Sequence, residues 1–261
     1  MQFEFVTRTD TGLLRKNNED AISVDAAAGV AVLADGMGGY NAGEIASNMA
    51  ATFICRELTA WMQTRSDPVV SADVARAVRL AIANANTAVL NSALSNPNFA
   101  GMGTTLVVWV WHGTGCTIGH IGDSRCYLWR AGSLRRLTKD HSLLQEHIDA
   151  GLMTPLEAET ATIRNLVTRA LGVAEEVDIE LAHCQPEIGD VYLLCSDGLT
   201  DMVSDLQIAR ILETDADLAQ KATSLVAIAN AEGGRDNISV LLAQSNALTQ
   251  SQGIIARLWR K

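Results

Sequence analysis

The sequence lacks an excess of basic residues. Its 261 residues include 20 Lys and Arg against 30 Asp and Glu, which gives a formal net charge of −10. A surface that binds nucleic acid carries a basic stripe that pairs with the phosphates. The charge balance therefore predicts that the chain does not bind nucleic acid.

Long apolar runs are also missing. The longest run without a polar residue or glycine has six residues, 106–111, whereas a membrane-spanning helix needs about 20. The first five residues show no basic segment followed by an apolar one, so no signal peptide is expected. These features predict a cytoplasmic protein without a membrane span.

Cysteines with metal-binding or redox spacing are absent as well. The five cysteines form an odd, scattered set without a Cys-x-x-Cys motif: Cys55, Cys116, Cys126, Cys184 and Cys195. Such a set is typical of reduced thiols in a protein core. We therefore expect five ordinary core thiols.

Repeats and low-complexity linkers are missing too, so we predict one domain over 1–245 and a tail over 246–261. Hydrophobic spacing predicts helices at 43–62, 71–93, 205–213 and 217–231. Short β-rich runs predict strands at 29–34, 104–111, 116–121, 125–129, 190–195 and 238–243, with a hairpin turn at Ala131 and Gly132. Because most strands follow one another through short turns, we expect an α+β fold with antiparallel sheets and helices outside them.

Two regions allow more than one interpretation. Residues 140–190 are irregular and acidic, and they are either a mobile insert or a solvated surface. The tail ends in the basic amphipathic segment 254–261. For the tail we favour a frayed or docked end over contact with a membrane or a partner.

Aspartates recur where apolar strands end. Asp35, Asp123 and Asp197 each follow a predicted strand, Asp236 precedes the last one, and residues 17–20 form a further polar cluster. Any one of these aspartates alone is typical of a turn. Several together at buried strand ends would repel one another unless a cation lay between them. Carboxylates without accompanying Cys or His favour Mg²⁺ or Mn²⁺ over zinc.

Other phosphate and hydrolase motifs do not fit. The segment 36–41 has Asn41 at the third position of a dinucleotide fingerprint, and Asp35 would repel the pyrophosphate. Segment 101–105 lacks the lysine of a P-loop, and no G-x-S-x-G elbow occurs. Metal-centred chemistry remains.

Six motifs, taken together and in this order, resemble the metal-dependent type 2C protein Ser/Thr phosphatases, and in particular their bacterial branch. They are GLLRKNNED at 12–20, ADGMGG at 34–39, GTT at 103–105, GDSR at 122–125, SDGLTD at 196–201 and RDN at 235–237. The resemblance covers about residues 7–244. It implies a four-layer αββα sandwich, with two antiparallel sheets flanked by helices. Segment 35–44 is similar to that of phosphatases associated with bacterial type VI secretion.

The resemblance also implies a role for each matching residue. Asp35 would bridge two Mg²⁺ or Mn²⁺ ions, with the Gly36 carbonyl on one of them. Asp197 and Asp236 would hold the first ion, Glu19 and Asp20 would surround the second, and Asp123 with Asp197 would hold a third, weaker one. Arg15 would bind the phosphate, for which its fork of donors is suited.

The implied function is hydrolysis of phosphoserine and phosphothreonine in proteins by direct attack of a metal-bridging hydroxide. We expect a monomer whose partners are phosphorylated proteins and a bacterial Ser/Thr kinase that it opposes. Residues 140–185 would form a flap beside the site. One departure is Met37, which stands where many relatives have a histidine general acid and which cannot donate a proton.

Two alternatives stay open. In the first, the chain is a metal-binding regulatory domain that recognises phosphoproteins without turnover. In the second, it is a hydrolase of small phosphate esters. For single residues near the motifs we favour structural roles: a loop role for His141 and packing for His120. Arg125 would either orient the acid loop or form a structural ion pair, and Tyr40 would either line the cleft or pack at a helix start.

Overall fold

The structure is a computed structural model that describes residues 1–39, 42–64, 69–113, 115–154, 157 and 166–248. The described residues form two antiparallel sheets. Sheet I contains β1 (Gln2–Asp10), β7 (Arg125–Arg130), β8 (Ser133–Arg136), β10 (Val191–Cys195) and β11 (Ile238–Asn246), in the order β1-β11-β10-β7-β8. Sheet II contains β2 (Asp20–Asp25), β3 (Val30–Met37), β5 (Leu106–His112), β6 (Gly115–Ile121) and β9 (Glu180–Cys184), in the order β2-β3-β5-β6-β9. The two-residue strand β4 (Gly103–Thr104) pairs with the end of β3.

Two pairs of long helices cover the outer faces of the sheets. Helices α1 (Ala42–Gln63) and α2 (Ser71–Ser95) pack on sheet II, whereas α5 (Asp205–Glu213) and α6 (Leu218–Ala231) pack on sheet I. The shorter helices are α3 (Leu143–Asp149) and α4 (Asp197–Thr200). A capping box at Ser204 and Gln207 fixes the start of α5.

Three apolar layers hold the sandwich together. The central strands are apolar throughout because both of their faces are buried. In β3, for example, Val32 faces α1 and α2, whereas Leu33 faces the layer between the sheets. In β11, Leu241 faces that central layer and Leu242 faces α5 and α6. The predicted four-layer αββα sandwich is confirmed.

The prediction missed several elements. Strand β1 alternates apolar and polar residues, as half-buried strands do, and this short signal was overlooked. Strand β2 carries acidic residues at both ends, and β9 and α3 lie in the stretch 140–190 that we interpreted as irregular. The predicted strand at 104–111 is two strands, because Thr105 separates β4 from β5. The hairpin turn between β7 and β8 is confirmed. Among the described helices, none is long and apolar enough to cross a bilayer.

Candidate metal centre

The predicted acidic residues come together at one end of the sandwich. Asp20 begins β2 and lies directly opposite Asp35, near the end of β3. Asp123 follows β6, Asp197 follows β10, and Asp236 precedes β11. Because neighbouring strands are antiparallel, the end of one strand meets the start of the next at the same edge. The topology thus places five aspartates at one end of the two sheets.

Hydrogen bonds join the two sheets at this end. Ser196, after β10 of sheet I, donates its hydroxyl to Asp20 Oδ2 of sheet II at 2.8 Å. The backbone N–H of Glu19 donates to Asn237 Oδ1 at 2.7 Å. Both Ser196 and Asn237 lie within the sequence motifs, but no pattern in the sequence assigns them a role. They hold the acidic segments of the two sheets against each other.

The backbone around Asp35 is tightly packed. The Gly36 N–H donates to Glu19 O at 3.0 Å, and Thr105 N–H donates to Asp35 O at 2.8 Å. A side chain on Gly36 would lie 2.7 Å from Glu19 O and would also collide with the backbone of Gly43. Glycine is therefore required at 36, because the chain packs directly on it.

Arg15 lies at the rim of the acidic cluster. Its Nη2 donates to Asp236 Oδ2 at 2.6 Å, and the Arg15 side chain is 54% exposed. Asp236 Oδ1 accepts from the Asn237 N–H at 2.8 Å. The proposed phosphate-binding group and a proposed metal ligand are thus in direct contact.

Burial and mutual repulsion dominate the electrostatics of the cluster. Burial raises the pKa of Asp20 to about 7, although hydrogen bonds from Ser239 and Ser196 oppose the shift. The pKa of Asp123 rises to about 6, mainly through burial and then through the nearby charge of Asp140. Burial thus disfavours the ionised form of both carboxyl groups, and a nearby positive charge would favour it.

The pKa values of Asp35 and Asp197 are raised further. Burial raises the pKa of Asp35 well above its usual range, and the charges of Asp20 and Asp197 add to the shift. The pKa of Asp197 is raised in the same way by burial and by its acidic neighbours. Burial also raises the pKa of Glu19, and the charge of Arg15 opposes this shift. Without a cation, keeping these carboxyl groups ionised has a high cost in free energy.

Two carboxylate oxygens support a cation site directly. Asp20 Oδ1 and Asp197 Oδ1 are buried, and neither has a hydrogen-bond partner among the described residues. A buried carboxylate oxygen without a partner loses its hydration and gains nothing in return. Oxygen ligands of this kind suit Mg²⁺ or Mn²⁺. The residues present therefore fit the divalent ions that the motifs imply.

The spacing of the acids also fits ions that keep part of their water. Within the described residues, no three of the acidic side chains bring ligand oxygens within 4.8 Å of one another. Mg²⁺ commonly binds through one or two carboxylates and retains several waters.

Among the described residues, His120, His141 and Glu180 also bring side chains of metal-binding types close together, beside the site. His141 Nδ1 accepts a hydrogen bond from the Gly122 N–H at 3.1 Å, so the neutral ring carries its proton on Nε2. Its Nε2 lies 3.2 Å from Glu180 Oε1. Because Nδ1 accepts this hydrogen bond, the lone pair of the neutral His141 ring is already engaged. His141 supports the loop before Asp123, as the structural interpretation expected.

The remaining single-residue expectations have mixed outcomes. His120 is buried in β6 beside the ring of His141, which fits a packing role. Arg125 forms a bidentate pair with Asp140 at 2.7 to 3.1 Å, so the structural ion pair is the correct alternative. Met37 ends β3 opposite Gly103. Tyr40 lies outside the described residues.

Comparisons with known proteins point to one family. The family model described as protein phosphatase 2C matches residues 15–243. The protein phosphatase PhpP of Streptococcus pneumoniae is 40% identical over 241 residues, which cover 91% of this chain and 96% of PhpP. The serine/threonine protein phosphatase PstP of Mycobacterium tuberculosis is 39% identical over 92% of this chain. The chain spans only 44% of the length of PstP.

Solved structures agree with these relatives. The catalytic domain of PstP, in complex with two manganese ions, superimposes with a TM-score of 0.83 and 36% identity, covering 94% of this chain and 99% of that one. PppA, described as a key regulatory component of the T6SS in Pseudomonas aeruginosa, superimposes with a TM-score of 0.81 and 31% identity, covering 94% and 98% of the two chains. Both similarities extend over the whole sandwich and its acidic end.

Proposed function

The chain belongs to the protein phosphatase 2C family, and we propose that it is a metal-dependent serine/threonine protein phosphatase that hydrolyses phosphoserine and phosphothreonine by direct attack of water on phosphorus. The observation that carries this proposal is the meeting of Asp20, Asp35, Asp197 and Asp236 at one end of the sandwich, next to Arg15. The names of the bacterial relatives support the same activity.

Two divalent ions would be held by the acidic cluster. Asp35 would take part in both ion sites, with the Gly36 carbonyl at one of them, while Asp197 and Asp236 would hold the first ion and Glu19 and Asp20 would surround the second. When bound, such ions make hydroxide available near neutral pH by lowering the pKa of a shared water. The raised pKa values of Asp20 and Asp35 mean that these side chains release protons as the ions bind.

Arg15 would bind and orient the phosphoryl group. It lies beside Asp236, so a phosphate that approaches the acidic cluster meets the guanidinium at the rim. The planar fork of donors matches two phosphate oxygens and stabilises the negative charge on them during attack. No side chain is assigned to protonate the leaving oxygen, because Met37 carries no acidic proton.

Further parts of the proposal concern partners and setting. We propose that Asp123 and Asp197 hold a third, weaker ion and that Mg²⁺ serves as well as Mn²⁺. We also propose a cytoplasmic monomer that reverses the work of a bacterial Ser/Thr kinase. The five free cysteines agree with a reducing compartment. The similarity to PppA supports a link to type VI secretion.

The experiment that tests the proposal is phosphate release with Mn²⁺ from a phosphothreonine peptide and from a small non-protein phosphate ester. Release that stops with EDTA and in Asp35→Asn is expected. Activity that persists without metal, or in the Asp35 variant, would refute the metal-dependent mechanism. No release from the peptide with either metal would favour the regulatory alternative, and release from the small ester alone would favour the small-ester hydrolase.

A further inference from the structure

Two of the five cysteines lie directly opposite each other on adjacent strands. Cys116 of β6 pairs in register with Cys184 of β9, and their sulfur atoms are 2.7 Å apart. Residues that face each other across an antiparallel pair have Cα atoms about 4.5–5.5 Å apart. A disulfide accommodates Cα separations of about 4.4–6.8 Å, with a bond of about 2.05 Å. The backbone is thus already placed for a bond between these sulfurs.

The pair is accessible from one side. Cys184 is half-buried, whereas Cys116 is 1% exposed. Both line a surface pocket together with Arg130 and Arg135. Strand β9 stands last in the strand order of sheet II, so β6 is its one strand neighbour in that order. The other three cysteines are buried.

We propose that Cys116 and Cys184 are a redox-active dithiol that hydroperoxides convert into a reversible cross-strand disulfide. This proposal concerns a site at the opposite end of β6 from Asp123, and it does not depend on the proposed phosphatase activity. It goes beyond our expectation that all five cysteines are ordinary core thiols.

The surroundings assign the two sulfurs different roles. A hydrogen bond from Cys116 lowers the pKa of Cys184 to about 7, and the Tyr192 hydroxyl and the nearby Arg135 and Arg130 act in the same direction against the effect of burial. The pKa of Cys116 is raised by its contact with Cys184 and by burial. The thiolate is the reactive form. Cys184 is therefore the attacking sulfur, and Cys116 resolves the intermediate.

The reaction balances with one molecule of hydrogen peroxide. The Cys184 thiolate attacks one peroxide oxygen, the O–O bond breaks, and the departing hydroxide takes up a proton to become water. Cys184 is then a sulfenic acid. The Cys116 sulfur attacks the Cys184 sulfur, the S–O bond breaks, and the released hydroxide takes the Cys116 proton. Two thiols have lost two electrons, and the peroxide has become two waters.

The test is mass spectrometry of the folded full-length protein after brief treatment with a stoichiometric amount of hydrogen peroxide. Intact mass should fall by about 2 Da, which is the loss of two hydrogens. A digest without reductant by trypsin and a Glu-specific protease, which cuts at Glu187 between Cys184 and Cys195, should contain one cross-linked pair of peptides, carrying Cys116 and Cys184. Dithiothreitol should restore both thiols, and the same treatment in denaturant should abolish the selectivity for this pair.

Three variants sharpen the result. Cys184→Ser should prevent the crosslink and leave Cys116 unmodified, whereas Cys116→Ser should stop the reaction at the sulfenic acid of Cys184. Cys55→Ser is the matched control and should crosslink like the parent. The proposal is overturned if peroxide leaves both thiols free for alkylation. It is also overturned if Cys184 proceeds to a sulfinic acid while Cys116 stays a thiol, or if the crosslinks join two protein molecules.

Discussion

Arg15 and Asp236 lie 221 residues apart in the chain and form an ion pair in which Arg15 Nη2 is 2.6 Å from Asp236 Oδ2. The arginine is 54% exposed, so the pair contributes little to the free energy of unfolding. Its significance is positional. The motifs identify Arg15, at the rim of the acidic cluster, as phosphate-binding. The ion pair places this cation next to Asp236, a proposed ligand of the first metal ion.

Replacing Arg15 with alanine should lower kcat/KM for a phosphothreonine peptide by about 10- to 100-fold. Hydrogen bonds to charged groups contribute about 1.5–3 kcal/mol, and about 1.4 kcal/mol corresponds to a factor of ten. Arg15→Lys should recover only part of the loss, because it keeps the charge but not the fork of donors. The affinity for Mn²⁺, measured by calorimetry, should not weaken, since a cation next to the acids has been removed.

The control for this prediction is Arg76→Ala. Arg76 is a highly exposed arginine of α2 that pairs loosely with Asp73 at 3.9 Å. This variant should keep the parental kcat/KM. If Arg15→Ala does the same, Arg15 does not bind the phosphate.

The thermal stability of the metal-free protein should fall as the pH rises. Burial raises the pKa of Asp20 to about 7 and that of Asp123 to about 6, whereas an unfolded aspartate has a pKa of about 3.9. Between about pH 4 and pH 7 the folded chain therefore holds protons that the unfolded chain has lost. The free energy of unfolding decreases over this window.

Divalent ions should reverse this effect. The ions bind the ionised carboxylates and so remove the cost of burying their charge. At low pH, protons compete for the carboxylates and weaken the binding of the ions. The rise in Tm on adding saturating Mn²⁺ should be larger at pH 7.5 than at pH 5.5. Asp20→Asn should reduce the difference between the two pH values, because it removes one of the titrating groups. An equal rise in Tm at both pH values would contradict a site built from carboxyl groups with raised pKa values.

Sequence alone located most of the acidic cluster because its aspartates mark strand ends. Asp35, Asp123 and Asp197 each follow an apolar run that buries both faces, and such runs are easy to find. The antiparallel topology then brings their ends together. The supporting contacts were not predictable in this way. Asn237 reaches Glu19 across 218 residues, and no local pattern encodes a hydrogen bond between two sheets.

The dithiol was missed for a related reason. Cys116 lies in a strand that the sequence predicts, but Cys184 lies in β9, within a stretch that has few apolar residues and no clear alternation. Strand register is set by the packing of the whole sheet and by the turns between strands. A pair of cysteines 68 residues apart therefore cannot be predicted until the positions of both strands are known. Five scattered cysteines gave no spacing signal of their own.

Replacing Asp35 with asparagine should have opposite effects on activity and stability. Burial and the charges of Asp20 and Asp197 raise the pKa of Asp35, which shows that its ionised form is unfavourable in the metal-free fold. The neutral amide removes this penalty but also removes a carboxylate that we propose as a metal ligand. We expect loss of phosphatase activity and a higher Tm in EDTA, with each kcal/mol gained worth roughly 2–4 °C. A lower Tm in EDTA would show that the carboxylate is stabilising even without metal.

Replacing Asn237 with alanine should weaken both the fold and the metal site. Its buried side chain accepts from Glu19 N–H at 2.7 Å and donates to Thr11 O and Asn17 O at 2.9 Å. Leaving these groups without partners should cost about 1–3 kcal/mol. The loop that carries Glu19 would then be held less firmly, so the Kd for Mn²⁺ should rise.

Two further variants test this interpretation of Asn237. Asn237→Asp can still accept from Glu19 but cannot donate to the two carbonyl groups, and it adds a negative charge, so it should not rescue the fold. Asn98→Ala, at an exposed position after α2, is the matched control and should leave both Tm and Kd unchanged. If Asn237→Ala binds Mn²⁺ like the parent, the loop does not depend on this side chain.

The proposed flap should influence substrate choice more than catalysis. Within the flap at 140–185, the segment 143–166 is closed at its ends, since Leu143 N–H donates to Leu166 O at 2.9 Å and Ser142 pairs with Val167. Residues 144–165 can therefore be replaced by a short Gly/Ser linker without opening the sheets. A small aryl phosphate needs only the metal centre and Arg15, whereas a phosphopeptide also contacts the surrounding surface. We expect kcat/KM for the peptide to fall at least about tenfold more than that for the aryl phosphate, a difference of about 1.4 kcal/mol in transition-state binding.

A pair of single substitutions gives the same comparison without a deletion. Leu152 lies within the flap and is 73% exposed, and Leu206 on α5 is 62% exposed. Because neither leucine is buried, replacing either with alanine should change stability little. Leu152→Ala should lower kcat/KM for the phosphopeptide while sparing the aryl phosphate, and Leu206→Ala should affect neither substrate. If the linker variant loses activity equally on both substrates, the segment supports the metal centre itself, because a surface that only selects peptides cannot slow a substrate that never touches it.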